Sequence, residues 1–364
     1  MKQRKKLVYV ISWRYSGNDG VTRKTFEQLT EWVKSFDILL IWLQNGNELP
    51  NIDGIQIPKG LEVSFHLVRT NPMGYLKIMK LVAKFQPNYI YTRYPFFHPL
   101  IFLLLIRYPS VLEINTLEKK EMLINLHNKR SLAFRAIYYA VMFTRSFFLS
   151  RAKAIFFVTK ELLDHQDYRH FSNKYFLPNS ISSKHFADLK QVSDRERINL
   201  LFIGTYGHSW HGIDKIEMLA NLVPQFNFHI VGALGDDKSN ITYYGVMNKE
   251  QISSLMNSMD ICIGSLSINV LGLSQACPLK VREYIAAGFP VILGYEDAAF
   301  TDGLPNWVFM IDFEHLNVQQ FLEFCYQNKN YLVSGEDKIK YICLDKIEYN
   351  RVKVIQQIDA KANS

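Results

Sequence analysis

The run PLKVREYIAAGFPVILG, Pro278 to Gly294, sets a cation and a carboxylate three residues apart at the start of a short helix: Lys280 and Glu283. Side chains at that spacing share a helix face. A lysine beside the free N–H groups and positive dipole end of a helix makes an anion site suited to a diphosphate. Glu283, one turn on, is placed to accept hydrogen bonds from paired hydroxyls such as those of a ribose. The plain alternative is an i,i+3 surface ion pair, worth about 0.2–0.5 kcal/mol. The sequence Gly288-Phe289-Pro290 then stops the helix ahead of a β-branched apolar run.

A second group of candidates follows the apolar strand INLLFIG, in the loop TYGHSWHG. Gly204 and Gly207 let a ligand approach the backbone there, and His208 and His211 are cation-capable. Both histidines, like His98, read equally well as ordinary polar loop residues. His229 lies inside the apolar stretch NFHIVGA and reads as a core histidine. No histidine–carboxylate group has metal-ligand spacing, so the expected chemistry uses neither a metal nor a cofactor. Neither glycine loop is G-x-G-x-x-G or a P-loop, which argues against nicotinamide and Walker-type nucleotide binding.

The elements that must hold these residues alternate between strand and helix. KLVYVIS, DILLIWL, NYIYTRY, SVLEIN, KAIFFVT and KYFLPN are strands of a first series, with helices VTRKTFEQLTEWVKSF and MGYLKIMKLVAKF between them. The pattern restarts at INLLFIG and continues through NFHIVGA, ITYYG, DICIGSL, PVILG and VFMID. This predicts an α/β chain of two Rossmann-like βαβ domains, residues 1–180 and 195–340, facing across a cleft. Residues 341–364 read as a helix returning toward the first domain. Ligands of such sheets bind at the carboxyl ends of the strands, where both glycine loops fall.

Composition narrows the class. With 364 residues, 48% of them hydrophobic, the chain can build two full cores. The longest apolar run, PLIFLLLI, is far short of the roughly 20 residues a membrane span needs. MKQRKKLVYVISW is not a signal peptide by its short apolar stretch, so a cytoplasmic location is expected. Residues 1–180 carry 26 Lys+Arg against 13 Asp+Glu, and residues 181–364 carry 16 against 21. A front half at +13 and a back half at −5 suggest that the front meets an anionic partner. No nucleic-acid signature accompanies that charge, so nucleic acid is not expected. Cys262, Cys277, Cys325 and Cys343 form no C-x-x-C pair and read as reduced thiols.

PLKVREYIAAGFPVI closely resembles the nucleotide-sugar motif of retaining GT-B glycosyltransferases of the group 1 (family 4) type. LLFIGTYGHSWHGID resembles that family's strand, glycine loop and W-x-G segment. FHIVGA with NITYYGVMNKEQISSLMNSMDICIGSL, and AKAIFFVTKELLDH with KYFLPNSISSKHF, resemble further passages in the same order. The resemblance implies a GT-B fold and transfer of a sugar from a nucleotide-sugar, a UDP-sugar favoured. It implies that Lys280 contacts the donor diphosphate, Glu283 the ribose, and the backbone at Tyr206, Gly207 and His208 the phosphates or sugar. Gly20 matches the N-terminal glycine loop; with Arg93, Glu113 and Asn115 it is assigned to the acceptor side of the cleft. Three positions depart from the pattern: Gln275 stands where a sugar-binding Glu is usual, His211 precedes Gly212 in place of Arg or Lys, and Asn115 replaces a His.

The acceptor is expected to be a glycan or a lipid-linked glycan in cell-surface polysaccharide or glycolipid synthesis. Residues 128–151, NKRSLAFRAIYYAVMFTRSFFLSR, mix cations with aromatics. Arg130, Arg145 and Arg151 fall in one arc of a helix and Arg135 lies opposite; all four are candidates for contact with an anionic membrane on its inner face. An interior helix with snorkelling arginines fits the same letters. Gln275 and Asn115 motivate another reading, a non-catalytic partner that binds sugar or acceptor for an active sister subunit. A nucleotide-sugar epimerase on the same fold is a third.

Overall fold

A computed structural model describes residues 4–358 except 16–18, 45–47, 50–56, 68–71, 95–97, 130–131, 193 and 206. The chain forms two compact units, Met1–Leu177 with Asp345–Ser364, and Pro178–Leu344. In the first, β1 (Lys5–Trp13), α1 (Gly20–Trp32), β2 (Phe36–Gln44), β3 (Leu61–Leu67), α2 (Pro72–Phe85), β4 (Tyr89–Arg93), α3 (Pro99–Arg107) and β5 (Ser110–Ile114) lead to α4 (Glu118–Lys129) and α5 (Leu132–Arg151). It continues through β6 (Ala154–Phe157), α6 (Lys160–Asp164) and β7 (Lys174–Phe176).

All seven strands pair in parallel in the order β3-β2-β1-β4-β5-β6-β7. Leu7, Val8, Tyr9 and Val10 are all sealed from solvent, as a central strand covered on both faces must be. Strand β3, LEVSFHL, is absent from the sequence-based strand set. Its side chains are mostly half-buried, which suits the sheet edge where it lies.

The second unit holds β8 (Asn199–Ile203), α7 (Ile213–Leu222), β9 (Asn227–Val231), β10 (Ile241–Gly245), α8 (Lys249–Met256), β11 (Ile261–Ile263), β12 (Gln275–Ala276) and α9 (Leu279–Ala286). β13 (Val291–Leu293), β14 (Glu296–Asp297), β15 (Val308–Met310), α10 (Val318–Asn328) and α11 (Gly335–Ile342) complete it. Six strands pair in parallel as β10-β9-β8-β11-β13-β15, and β12 and β14 form a small parallel pair of their own. In each large sheet the winding reverses beside the first strand, between β1 and β4 and between β8 and β11. Such switch points are where doubly wound sheets bind ligands.

The single C-terminal helix expected from periodicity is two helices, α11 and α12 (Leu344–Gln357). Cys343 breaks them with extended dihedrals (φ −69°, ψ 130°). The break is enforced from outside: Ile181 N donates to the Ile342 carbonyl at 2.9 Å, and Leu344 N donates to the Ile181 carbonyl at 3.0 Å. Past that point α12 joins the core of the first unit, where Val352 and Ile355 pack with Leu7, Tyr9, Trp32 and Tyr91.

Candidate functional site

In the second unit the switch-point loop is built by close backbone approach. Gly204 follows β8, and its carbonyl lies where a Cβ on Gly232 would stand 1.9 Å away, with Gly232 at φ +82°. Only glycine fits there. A Cβ on Gly204 itself would meet the Phe202 ring at 2.6 Å and His211 Nδ1 at 2.8 Å. The following turn, Ser209–His211, is tied to the loop after β11: Leu266 N donates to the His211 carbonyl (3.0 Å) and Ser267 N to the Trp210 carbonyl (3.2 Å). His208 stacks on Trp210 with ring centroids 4.3 Å apart and lies 5.4 Å from the His211 ring.

Helix α9 brings Lys280 under this loop. Its N-cap, Pro278, supplies no side-chain hydrogen bond, so the first N–H groups of the helix are not capped from there. Lys280 Nζ stands 4.0 Å above the Phe202 ring centroid. Its ammonium group is out of contact with solvent and has no hydrogen-bond partner among the described residues, although the residue as a whole is half-buried. Burial alone lowers its pKa to about 7. The same cation acts on both histidines. Burial, then Lys280, then His208 lower His211 to about 3; burial and Lys280 lower His208. Three cation-capable groups thus converge at the carboxyl end of β8, and none of these shifts is opposed by a carboxylate.

Sequence reasoning missed the residue that fixes α9. Arg282 is fully buried and reaches three segments: Nε donates to the Asn179 carbonyl (2.9 Å), and Nη2 contacts Cys277 Sγ (2.8 Å) and Asp297 Oδ1 (2.5 Å). It locks α9 to β14 and to the residue that follows β12, and so fixes the helix that carries Lys280. Its only sequence signal is a charged residue two positions from Lys280, on the side of the helix occupied otherwise by apolar residues such as Val281 and Ile285.

The other expected donor residues are placed as follows. Glu283 is half-buried on the second turn of α9. Gln275 is half-buried on β12, its amide donating to Glu296 Oε2 at 3.1 Å. Gly207 is exposed at φ +85°. Tyr206 lies outside the described residues. His229 is half satisfied: Nδ1 pairs with Tyr244 OH at 2.9 Å, Nε2 is buried without a partner among the described residues, and burial lowers the ring's pKa to about 4.

In the first unit, Gly20 opens α1, whose N-cap Asp19 accepts from Val21 N and Thr22 N. Glu113, expected on the acceptor side, is instead the centre of a buried ionic network. It is 1% exposed, and it accepts from Lys24 Nζ (2.8 Å), Tyr91 OH (2.7 Å), Asn115 Nδ2 (3.0 Å) and Arg351 Nη1 (3.0 Å). Burial would raise its pKa, but Lys24, Arg351 and Arg93 outweigh it and hold the carboxyl well below the ordinary range. Arg93, a quarter exposed, lies 3.7 Å from the same carboxylate. Arg351 is supplied by α12 and also bonds Glu348, which accepts from Trp32 and Gln28 on α1. The asparagine in place of histidine is therefore tethered, and the carboxylate beside it is committed to holding α12.

The membrane assignments divide. Arg145 is corrected: it is 3% exposed and ion-paired with Glu118, whose other oxygen accepts from Tyr168 OH. The arc of cations read from the sequence faces inward at that position. Arg135 and Arg151 are exposed on α5, and Arg130 lies outside the described residues. No described helix is long and apolar enough to cross a membrane.

No family model matches the sequence, and no curated protein matches it significantly. Among solved structures, the chain is similar to sucrose-phosphate synthase from Thermosynechococcus elongatus, with TM-score 0.70 and 12% identity over 98% of this chain and 100% of that one. A glycosyltransferase from Rickettsia africae ESF-5 matches with TM-score 0.65 and 14% identity over 98% of each chain. Anabaena Alr3699/HepE, solved in complex with UDP, matches with TM-score 0.60 and 13% identity over 97% of this chain and 100% of that one. At these identities the likeness is one of fold, and the fold is GT-B.

Proposed function

We propose that the chain is a glycosyltransferase that moves a sugar from a nucleotide-sugar, a UDP-sugar favoured, to a lipid-linked or glycan acceptor. The reading extends to a retaining, metal-independent enzyme of the group 1 (family 4) type. One observation carries it: a buried, unpartnered Lys280 ammonium group beneath the glycine loop of the β8–β11 switch point, flanked by two histidines. A buried cation without a counter-ion is costly. A diphosphate is the partner that would satisfy it together with uncapped helix N–H groups.

In the reaction the bond from the anomeric carbon to the diphosphate oxygen breaks, and the electron pair leaves with the diphosphate. The acceptor hydroxyl oxygen forms the new bond, and its proton passes to the oxygen of the departing diphosphate. Lys280 and the α9 N-terminus neutralise charge growing on the leaving group, the kind of contact worth about 3–4 kcal/mol. Glu283 would hold the ribose hydroxyls, and Gln275 the transferred sugar as a neutral hydrogen-bonding group. The nucleotide-sugar is a substrate, and no cofactor enters.

A second reading, a non-catalytic partner of an active sister subunit, is motivated by Gln275 and Asn115; the structure adds an observation at Asn115. Its amide is bound to Glu113, and it offers no base. A thermal-shift series with UDP, GDP, ADP, CDP and their sugar conjugates tests the site. Ligand at about 100-fold its dissociation constant stabilises by roughly 2.7 kcal/mol. A shift with one nucleotide that disappears in Lys280→Ala supports the donor site; no shift with any of them overturns it. Donor turnover by the purified chain alone then excludes the non-catalytic reading.

A further inference from the structure

Helix α5 divides into two faces. Val141, Arg145, Phe148 and Leu149 point inward and are sealed. On a helix of 3.6 residues per turn, Leu132, Tyr139 and Phe143 fall together on the opposite side, with Phe147 beside them. They are 81%, 67%, 89% and 47% exposed. Phe143 is almost as open to water as in an unfolded chain, and four large apolar side chains on one stripe are not the scattered exposure of an ordinary surface. Arg135 borders the stripe on one side and Arg151 on the other, both exposed. The Arg151 guanidinium lies 5.1 Å from the Phe147 ring centroid.

Neighbouring α3 extends the pattern. The Phe102 and Phe148 rings, 4.6 Å apart, join it to α5. Its outer side adds Leu103 and Ile106, 47% and 53% exposed, and the exposed Arg107. Neither helix contains an acidic residue. Apolar side chains flanked by cations, with no carboxylate among them, complement an anionic lipid surface: the rings enter the acyl boundary while the guanidinium groups stay at the phosphates.

We infer that the α3–α5 face is a shallow membrane-insertion surface that takes an anionic bilayer through Leu132, Tyr139, Phe143 and Phe147. This inverts the sequence expectation, in which the arginines led. Here the apolar ridge anchors and the arginines select. The inference is independent of the nucleotide site, since vesicle binding is read without donor or acceptor.

The test is co-sedimentation of the full chain with vesicles of phosphatidylcholine alone and of phosphatidylcholine mixed with phosphatidylglycerol. The protein is expected to bind the anionic vesicles and to keep much of that binding at high salt. Phe143→Ser and Tyr139→Ser, at exposed positions, should each weaken it about tenfold with an unchanged melting temperature. Arg135→Gln with Arg151→Gln should reduce only the preference for phosphatidylglycerol. In Phe143→Trp, emission should shift to the blue when vesicles are added. No binding to either vesicle, or equal binding by Phe143→Ser, overturns the inference. So does a dimer in sedimentation velocity without lipid that Phe143→Ser abolishes, because the ridge would then be covered by a second copy.

Discussion

Lys280 is held in a state that is costly without a partner. Its ammonium group has a ring beneath it and, among the described residues, no acceptor beside it. Lys280→Met should therefore separate two properties. Affinity for a nucleoside diphosphate falls about tenfold to a hundredfold, the loss of a hydrogen bond to a charged group, while the ligand-free protein becomes more stable by about 1–3 kcal/mol. Calorimetry and denaturant melts measure the two; a variant that loses both would make Lys280 a structural residue. The same group sets a pH dependence. In the folded chain it releases its proton near pH 7, whereas the unfolded chain holds it to about 10.5. Between those values the unfolded state binds more protons, so the stability of the ligand-free protein from this group rises with pH, and below pH 7 the contribution is flat. Diphosphate binding reverses the shift, so calorimetry at pH 8 in buffers of different ionisation enthalpy should register proton uptake. Release, or no exchange, would mean that the ligand does not reach Lys280.

At the scale of elements, two joints are the points of failure. The first is the contact of Gly232 with the Gly204 carbonyl. Gly232→Ala should destabilise the second unit severely, because both the positive φ and the 1.9 Å approach forbid a methyl group; a variant that melts like the parent would disprove the close approach. The second is Glu113. Arg351→Met leaves its carboxylate with fewer cations in a dry interior and should cost about 3–5 kcal/mol. Pairing that change with Glu113→Gln should recover part of the loss in a double-mutant cycle. Much of this framework is legible in the letters. Buried parallel strands write themselves as runs such as LVYV and ILLIWL, and the helix that carries Lys280 is announced by its proline and its glycine. Other parts depend on partners far along the chain. Nothing in SVLEIN says that Glu113 will meet Arg351, 238 residues later. The break at Cys343 has no glycine or proline to mark it and comes from pairing with Ile181. Arg145 looks like its exposed neighbours until Glu118 and Tyr168 are folded against it.

For the whole molecule, the first unit is discontinuous in sequence. Its sheet ends at Phe176, yet part of its core, Val352 and Ile355, arrives after the complete second unit. A chain cut after Leu344 should lose hydrogen-exchange protection across β1, β4 and β5 while β8–β15 remain protected. Equal protection in both units would mean that α12 is dispensable. Acid should act in the same place. The Glu113 carboxyl is depressed, so its contribution is present above the ordinary carboxylate range and lost as pH falls through its lowered value.

The tie between Glu113 and Arg351 also has a meaning in time. A ribosome adding about 5–20 residues per second needs roughly 12–48 s to make the 238 residues between them. For that interval a carboxylate destined for a dry interior lacks one of its cations, and the sheet around it lacks its closing helix. The segment made first is thus among the last to be finished. A nascent chain stalled before Arg351 would present an open, basic first unit to chaperones.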